Sequence, residues 1–183
     1  MTTATQTSIS TWTVDPAHSI VEFAVKHLVI TTVKGRFRDF EGTIQIDESR
    51  PENSVVSASI DVASVDTNTP DRDAHLRSDD FFNAERYPKI TFRSTSLERL
   101  DGTHYKVRGD LTIRDVTKQV VLDAEFEGEV NDPWGHRRAA FTATTQISRH
   151  EFGVKWNELI ETGGAVVSDD VRITLHVEAV RQS

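Results

Sequence analysis

The amino-acid sequence predicts an all-β domain of eight antiparallel strands, and three observations carry that expectation. Apolar residues recur at every second position in eight separate segments, most connections between them are short, and only two stretches break the alternation. Successive side chains of a strand point to opposite faces, so each segment reads as a half-buried strand with one apolar side.

In the first segment, Ser19–Lys26, Val21, Phe23 and Val25 alternate with Ile20, Glu22, Ala24 and Lys26. Phe40, Gly42, Ile44 and Ile46 then share a face, and Val56, Ala58, Ile60 and Val62 follow the same rule. The fourth segment is weaker, with Ile90 and Phe92 followed by Ser94 and Ser96. The pattern returns in Tyr105, Val107, Gly109, Leu111 and Ile113, and again in Val120, Leu122, Ala124 and Phe126. Ala139, Phe141, Ala143, Thr145 and Ile147 make the seventh segment, and Val171, Ile173, Leu175, Val177 and Ala179 the eighth. Asp101-Gly102 is a hairpin signal, and Asn131-Asp132-Pro133 marks another reversal.

Thr69–Phe82 breaks the β pattern and predicts a short helix. Thr69 is suited to the cap, Pro70 to the first position, and Asp71 and Asp73 to the positive end of the helix dipole. In His150–Ser168, Trp156, Leu159 and Ile160 can form one helical face before Gly163-Gly164 stops it. Eight strands with one apolar face avoid open edges by closing into a barrel. At about eight strands, a barrel interior is either filled by side chains or holds one small ligand. A two-sheet sandwich is the alternative closure, and periodicity does not separate the two. Residues 1–10 read as a flexible polar tail and residues 11–182 as one domain, with no internal repeat or linker.

The 183 residues carry 21 Lys+Arg against 29 Asp+Glu, a net charge of −8, which argues against a general nucleic-acid binder. With no Cys, disulfides, thiolate metal sites and cysteine nucleophiles are excluded. No apolar stretch is long enough for a spanning helix, so no stable membrane insertion is expected. The first residues lack the basic and apolar regions of a secretory signal, from which a cytoplasmic location is expected.

The best functional lead is the inward apolar set: Phe23, Phe40, Phe81, Phe82, Phe92, Leu111, Phe126, Phe141 and Trp156. A packed core is the ordinary explanation of such a set. Against it stand the small inward residues Gly42, Ala58, Ser94, Gly109, Ala124, Ala139 and Ala143, which leave space for an elongated apolar cavity. Arg72 and Arg77, beside His75, form one basic group, and Arg137, Arg138, Arg149 and Lys155 another; either could hold an anionic head group. Pairing with the abundant carboxylates is the ordinary alternative. His18 and His27 fall on opposite faces, and His75 and Asp79 could share a helical face. No HExxH, GxSxG or Walker pattern occurs, and no metal site, cofactor or catalytic residue is predicted.

The residues also match a known family. Asp15-Pro16-Ala17-His18-Ser19, then Phe23 and Val25-Lys26-His27, resemble the opening motif of the YceI-like, polyisoprenoid-binding proteins. Further matches are Gly35-Arg36-Phe37, Ser64-Val65-Asp66-Thr67, the run Arg72–Phe82, Tyr87-Pro88, Ile90-Thr91-Phe92, Gly109–Arg114, Val116-Thr117-Lys118, and Arg149 with Phe152-Gly153. The resemblance implies an eight-stranded antiparallel, lipocalin-like barrel, an elongated pocket for a long isoprenoid or similar lipid, and often a homodimer. The leading expectation from the residues and the resemblance together is non-enzymatic binding, storage or transport, with Arg72, His75 or Arg77 near the mouth. Alternatives are a barrel for fatty acids or fatty amides, an enzyme whose His75 or His18 moves protons, and a solid barrel that presents interaction surfaces.

Overall fold

The computed structural model describes residues 8–158 and 166–183, which form a closed antiparallel β-barrel of eight staves with one short helix. Three staves are each broken once. The first consists of β1 (Ile9–Val14) and β2 (Ile20–His27), separated by a 3-10 turn at Pro16–His18. The second consists of β3 (Thr31–Phe37) and β4 (Phe40–Asp47), and the third of β5 (Val55–Asp61) and β6 (Val65–Asp66). Then follow the helix α1 (Pro70–Arg77) and β7 (Lys89–Arg99), β8 (His104–Ile113), β9 (Val116–Asn131), β10 (Arg137–Ser148) and β11 (Asp170–Arg181). Each stave pairs with the next, and β11 closes the ring on both halves of the first stave, with Trp12 opposite Arg181 and Phe23 opposite Ile173. Closure is a barrel, not a sandwich.

Sequence periodicity finds the strong half of each broken stave and misses the other. In β1 only Trp12 and Val14 are apolar on the inner face, and in β3 Gly35 interrupts Val33 and Phe37. Strand pairing begins at Ile9, so Ile9 and Ser10 belong to β1 rather than to the expected tail. The weak fourth segment has a physical cause as well. A bulge between Ser94 and Ser96 shifts the inward phase, so that Ile90, Phe92 and Ser94 are followed inward by Leu97.

α1 is shorter than expected, and Thr69 flanks it without a side-chain cap. Its hydroxyl accepts from Arg72 instead, at 3.1 Å. The two turn signals hold: Asp101 accepts from the backbone N–H groups of Thr103 and His104, and Asp132 from those of Trp134 and His136. Arg149–Phe152 is a 3-10 turn, and Val154–Glu158 has no regular structure. The expected helical face at Leu159 and Ile160, with its Gly163-Gly164 stop, lies outside the described residues. No helix among the described residues is long and apolar enough to cross a membrane.

The core is divided between the two ends. Phe37, Val62, Val65, Phe81, Ile113, Ile147, Phe152 and Val154 pack at the end that carries α1. Trp12, Ala139 and Ala179 pack at the other, with Ile44, Ile46, Phe126 and Phe141 against them.

Candidate ligand-binding cavity

Between these ends the barrel is hollow. A cavity of about 430 Å³ far exceeds the voids of a close-packed interior, which seldom outgrow a water molecule. It falls within the roughly 300–1,000 Å³ typical of small-molecule sites. Its wall is built from alternate residues: Val21, Phe23 and Val25 on β2, Val56, Ala58 and Ile60 on β5, and Val171, Ile173, Leu175 and Val177 on β11. Every residue of β5 is half-buried, because one face meets solvent and the other meets the hollow.

Of the aromatic residues expected to line a cavity, Phe23, Phe40, Phe81, Phe82, Phe92 and Trp156 do so, as does Leu111. Phe126 and Phe141 do not. Their rings pack 5.5 Å apart in the cluster around Trp12, where they floor the closed end. Alternation identified their inward face but not their height along the barrel.

Among the small residues, only Gly42 and Ala58 border the hollow. Gly109 seats the Phe92 ring, since a Cβ there would lie 2.5 Å from Phe92 Cζ. Gly35 seats Phe23 in the same way, at 2.4 Å. These rings therefore lie against the wall. Ser94 takes the Val56 N–H on its hydroxyl at 2.8 Å, and Ala139 is packed against Trp12.

The cavity reaches the surface at the α1 end, where its lining includes the exposed Lys26 and Arg72 and the half-buried His27 and His75. This mouth is held by polar contacts. Buried Asp73 accepts from the Thr67 N–H at 2.8 Å and from the Thr67 hydroxyl at 2.5 Å, fixing α1 against β6. Arg72 donates to the Thr67 hydroxyl at 2.7 Å and to the Thr67 carbonyl at 2.8 Å. Among the described residues it forms no ion pair, so its charge remains at the rim. His75 stands edge-on to Phe81 and Trp156, with Nε2 2.8 Å from Asp80. It does not share a face with Asp79, which instead takes Arg114 at 3.0 Å, because the helix ends at Arg77. Arg77 is half-buried and does not line the cavity.

Sequence reasoning passed over Arg149 as a structural residue. It is 5% exposed and donates to the carbonyls of Val154, Trp156, Val167 and Ser168. Burial pushes its pKa down. One guanidinium thus fastens the strands' ends to the segment that carries Trp156. No local pattern signals such a role, since its four acceptors lie up to 19 residues away.

The second basic group does not exist as a cluster. Arg137 and Arg138 begin β10 while Arg149 follows its end, roughly 40 Å away at about 3.4 Å per residue. Arg138 reaches Asp15 at 2.9 Å, Asp132 at 2.7 Å and Glu178 at 2.8 Å, and Arg137 pairs with Glu129. Asp15, His18 and Glu178 are the one group with metal-ligand spacing among the described residues, and both its acids already pair with the Arg138 guanidinium. His18 and Arg138 hold the Asp15 carboxyl below its ordinary pKa.

Residues 12–179 match the YceI-like domain. The chain is 41% identical over 165 residues to protein YceI of Escherichia coli O157:H7, covering 90% of this chain and 83% of that one. The crystal structure of BcnA from Burkholderia cenocepacia superposes with a TM-score of 0.79 at 27% identity, covering 90% of this chain and 98% of that chain. A polyisoprenoid binding domain from Saccharophagus degradans shares the fold, with a TM-score of 0.68 at 14% identity over 97% of this chain and 100% of that one. The match over nearly all of the barrel, with an E. coli relative this close, makes the chain a member of the YceI-like domain family.

Proposed function

We propose that this protein is a non-enzymatic binder and carrier of a long apolar lipid of the isoprenoid type. The observation that carries the reading is the hollow itself: a cavity of about 430 Å³ with an aliphatic and aromatic wall and charged groups at one end. The fold shared with a polyisoprenoid binding domain agrees with an apolar occupant. Burying a few hundred Å² of prenyl chain at about 25 cal/mol per Å² yields on the order of 10 kcal/mol gross. Ordering a flexible chain consumes part of that, leaving micromolar or tighter affinity.

Arg72 and His75 at the mouth suit a polar head group, which would distinguish prenyl phosphates, alcohols, fatty acids and fatty amides better than the wall can. The arrangement favours binding over proton transfer. His18 does not line the hollow, and the greater part of the wall is aliphatic and aromatic. Native mass spectrometry of the purified protein, with titration by prenyl alcohols, prenyl phosphates, fatty acids and fatty amides, tests the reading. Retention of one apolar chain per barrel is expected, and indifference to all four classes would overturn it.

A further inference from the structure

We propose that the tip of the β2–β3 hairpin, Leu28-Val29-Ile30, is a peripheral anchor that sets the cavity mouth on an anionic lipid bilayer. The inference rests on the carrier reading, because it supplies the route by which an apolar chain enters and leaves. Val29 is 68% and Ile30 80% exposed, and they are consecutive, unlike the apolar residues scattered over the opposite end. Exposed apolar tips on a soluble surface mark interaction sites.

The tip is also stiffly built. Leu28 and Val29 take φ values of 51° and 66°, with the Ile30 N–H on the His27 carbonyl at 3.3 Å. Positions at positive φ favour Gly or Asn, and a β-branched residue there is strained. The base of the turn is tied to the neighbouring segment all the same: the Leu28 N–H donates to the Val166 carbonyl at 2.9 Å, and His27 bridges to Val167.

Charge selects the partner. In a chain of net −8, the stretch from Phe23 to Arg38 contains Lys26, Lys34, Arg36 and Arg38 and no acid. Lys34 reaches Glu22 and Arg38 reaches Asp66, while Lys26 Nζ meets only the Thr32 hydroxyl at 2.9 Å among the described contacts. An apolar tip flanked by cations suits the boundary between anionic head groups and acyl chains. Val25, Lys26, His27 and Val33, which flank the tip, line the cavity. A chain drawn from the bilayer beneath the tip therefore meets the hollow directly.

The test is flotation of the full chain with phosphatidylcholine vesicles, with and without phosphatidylglycerol as a third of the lipid. The wild type is compared with Val29→Asn combined with Ile30→Ser. Asn tolerates positive φ, so this variant should melt no lower than the wild type. Salt-sensitive partition to the anionic vesicles is expected, reduced about tenfold or more in the variant. Binding of a short prenyl alcohol in solution should not change. Equal partition of both proteins would overturn the anchor, as would a wild-type dimer that the variant loses with no vesicle binding by either. Vesicle binding without any prenyl binding would refute the carrier reading and leave the anchor standing.

Discussion

Ala58 offers the most direct interrogation of the hollow. It sits on β5 between Gly42 and Phe92 and faces the cavity. Ala58→Phe places a ring there, and a cavity that accepts benzene measures about 150 Å³, so the ring claims about a third of the 430 Å³ present. In a close-packed interior the six carbons of the ring exclude about four methylene groups of a bound chain. At about 0.8 kcal/mol per methylene, a long chain should lose on the order of 3 kcal/mol, or about a hundred-fold in affinity. The same ring fills empty space, so the unfolding free energy should hold or rise. The assay pairs titration with a long prenyl alcohol against urea unfolding. Undiminished affinity would mean that the chain binds elsewhere. A large fall in stability would mean that the space around Ala58 is already filled, and the argument from a hollow would fail with it.

Other expectations follow from single contacts. Arg149→Met leaves four carbonyls without their donor and should cost at least about 3 kcal/mol in urea unfolding, with Trp156 fluorescence reporting release of its segment. Asp132 is held at about 2, against an ordinary 3.8, chiefly by Arg138. Asp101 is held at about 2 by the N–H groups of Thr103 and His104. Between those values the unfolded chain binds more protons than the folded one, so stability is full above 3.8 and falls as pH drops toward 2. Arg138→Met should flatten that decline in melts recorded across the window. Gly109→Ala should destabilise by roughly 1–3 kcal/mol, because its Cβ meets the Arg93 carbonyl at 2.6 Å as well as Phe92. Gly35→Ala meets only side-chain ends, so it should tip Phe23 into the cavity and weaken binding with a smaller loss of stability. Paired melts and titrations separate the two glycines.

The wall was legible because alternation is a backbone property. Val171, Ile173, Leu175 and Val177 announce an inner face wherever the strand lies. What alternation lacks is the coordinate along the barrel axis, and this is why Phe126 and Phe141 were expected beside Phe23 and Phe92 but floor the closed end. The same gap dispersed Arg137, Arg138 and Arg149, neighbours in sequence that twelve residues of strand hold apart. Gly109 reads as space in the sequence, although it seats the Phe92 ring, as Gly35 seats Phe23. Their contribution to the hollow is to keep Phe23 and Phe92 against the wall. Arg149 and Asp73 were not legible as fasteners, because their partners are backbone groups whose availability depends on where the chain turns.

A hollow forgoes the dispersion contacts that a filled barrel would make, and the sequence shows how this fold remains stable. Each stave pairs with the next around the ring, so most backbone polar groups of the described strands are paired without help from the interior. Apolar burial is concentrated at the ends, around Trp12 on one side and around Phe37, Phe81 and Phe152 on the other. Each end is then fastened by buried or half-buried ionic side chains, Arg138 at the floor and Arg149 and Asp73 at the mouth. Between them the wall consists of branched aliphatic residues and seated rings, which have few rotamers with which to collapse inward. The polar fasteners and the apolar hollow are thus parts of one solution. Anchoring the ends rigidly allows the middle to stay empty, and an empty apolar middle is what a long apolar chain needs.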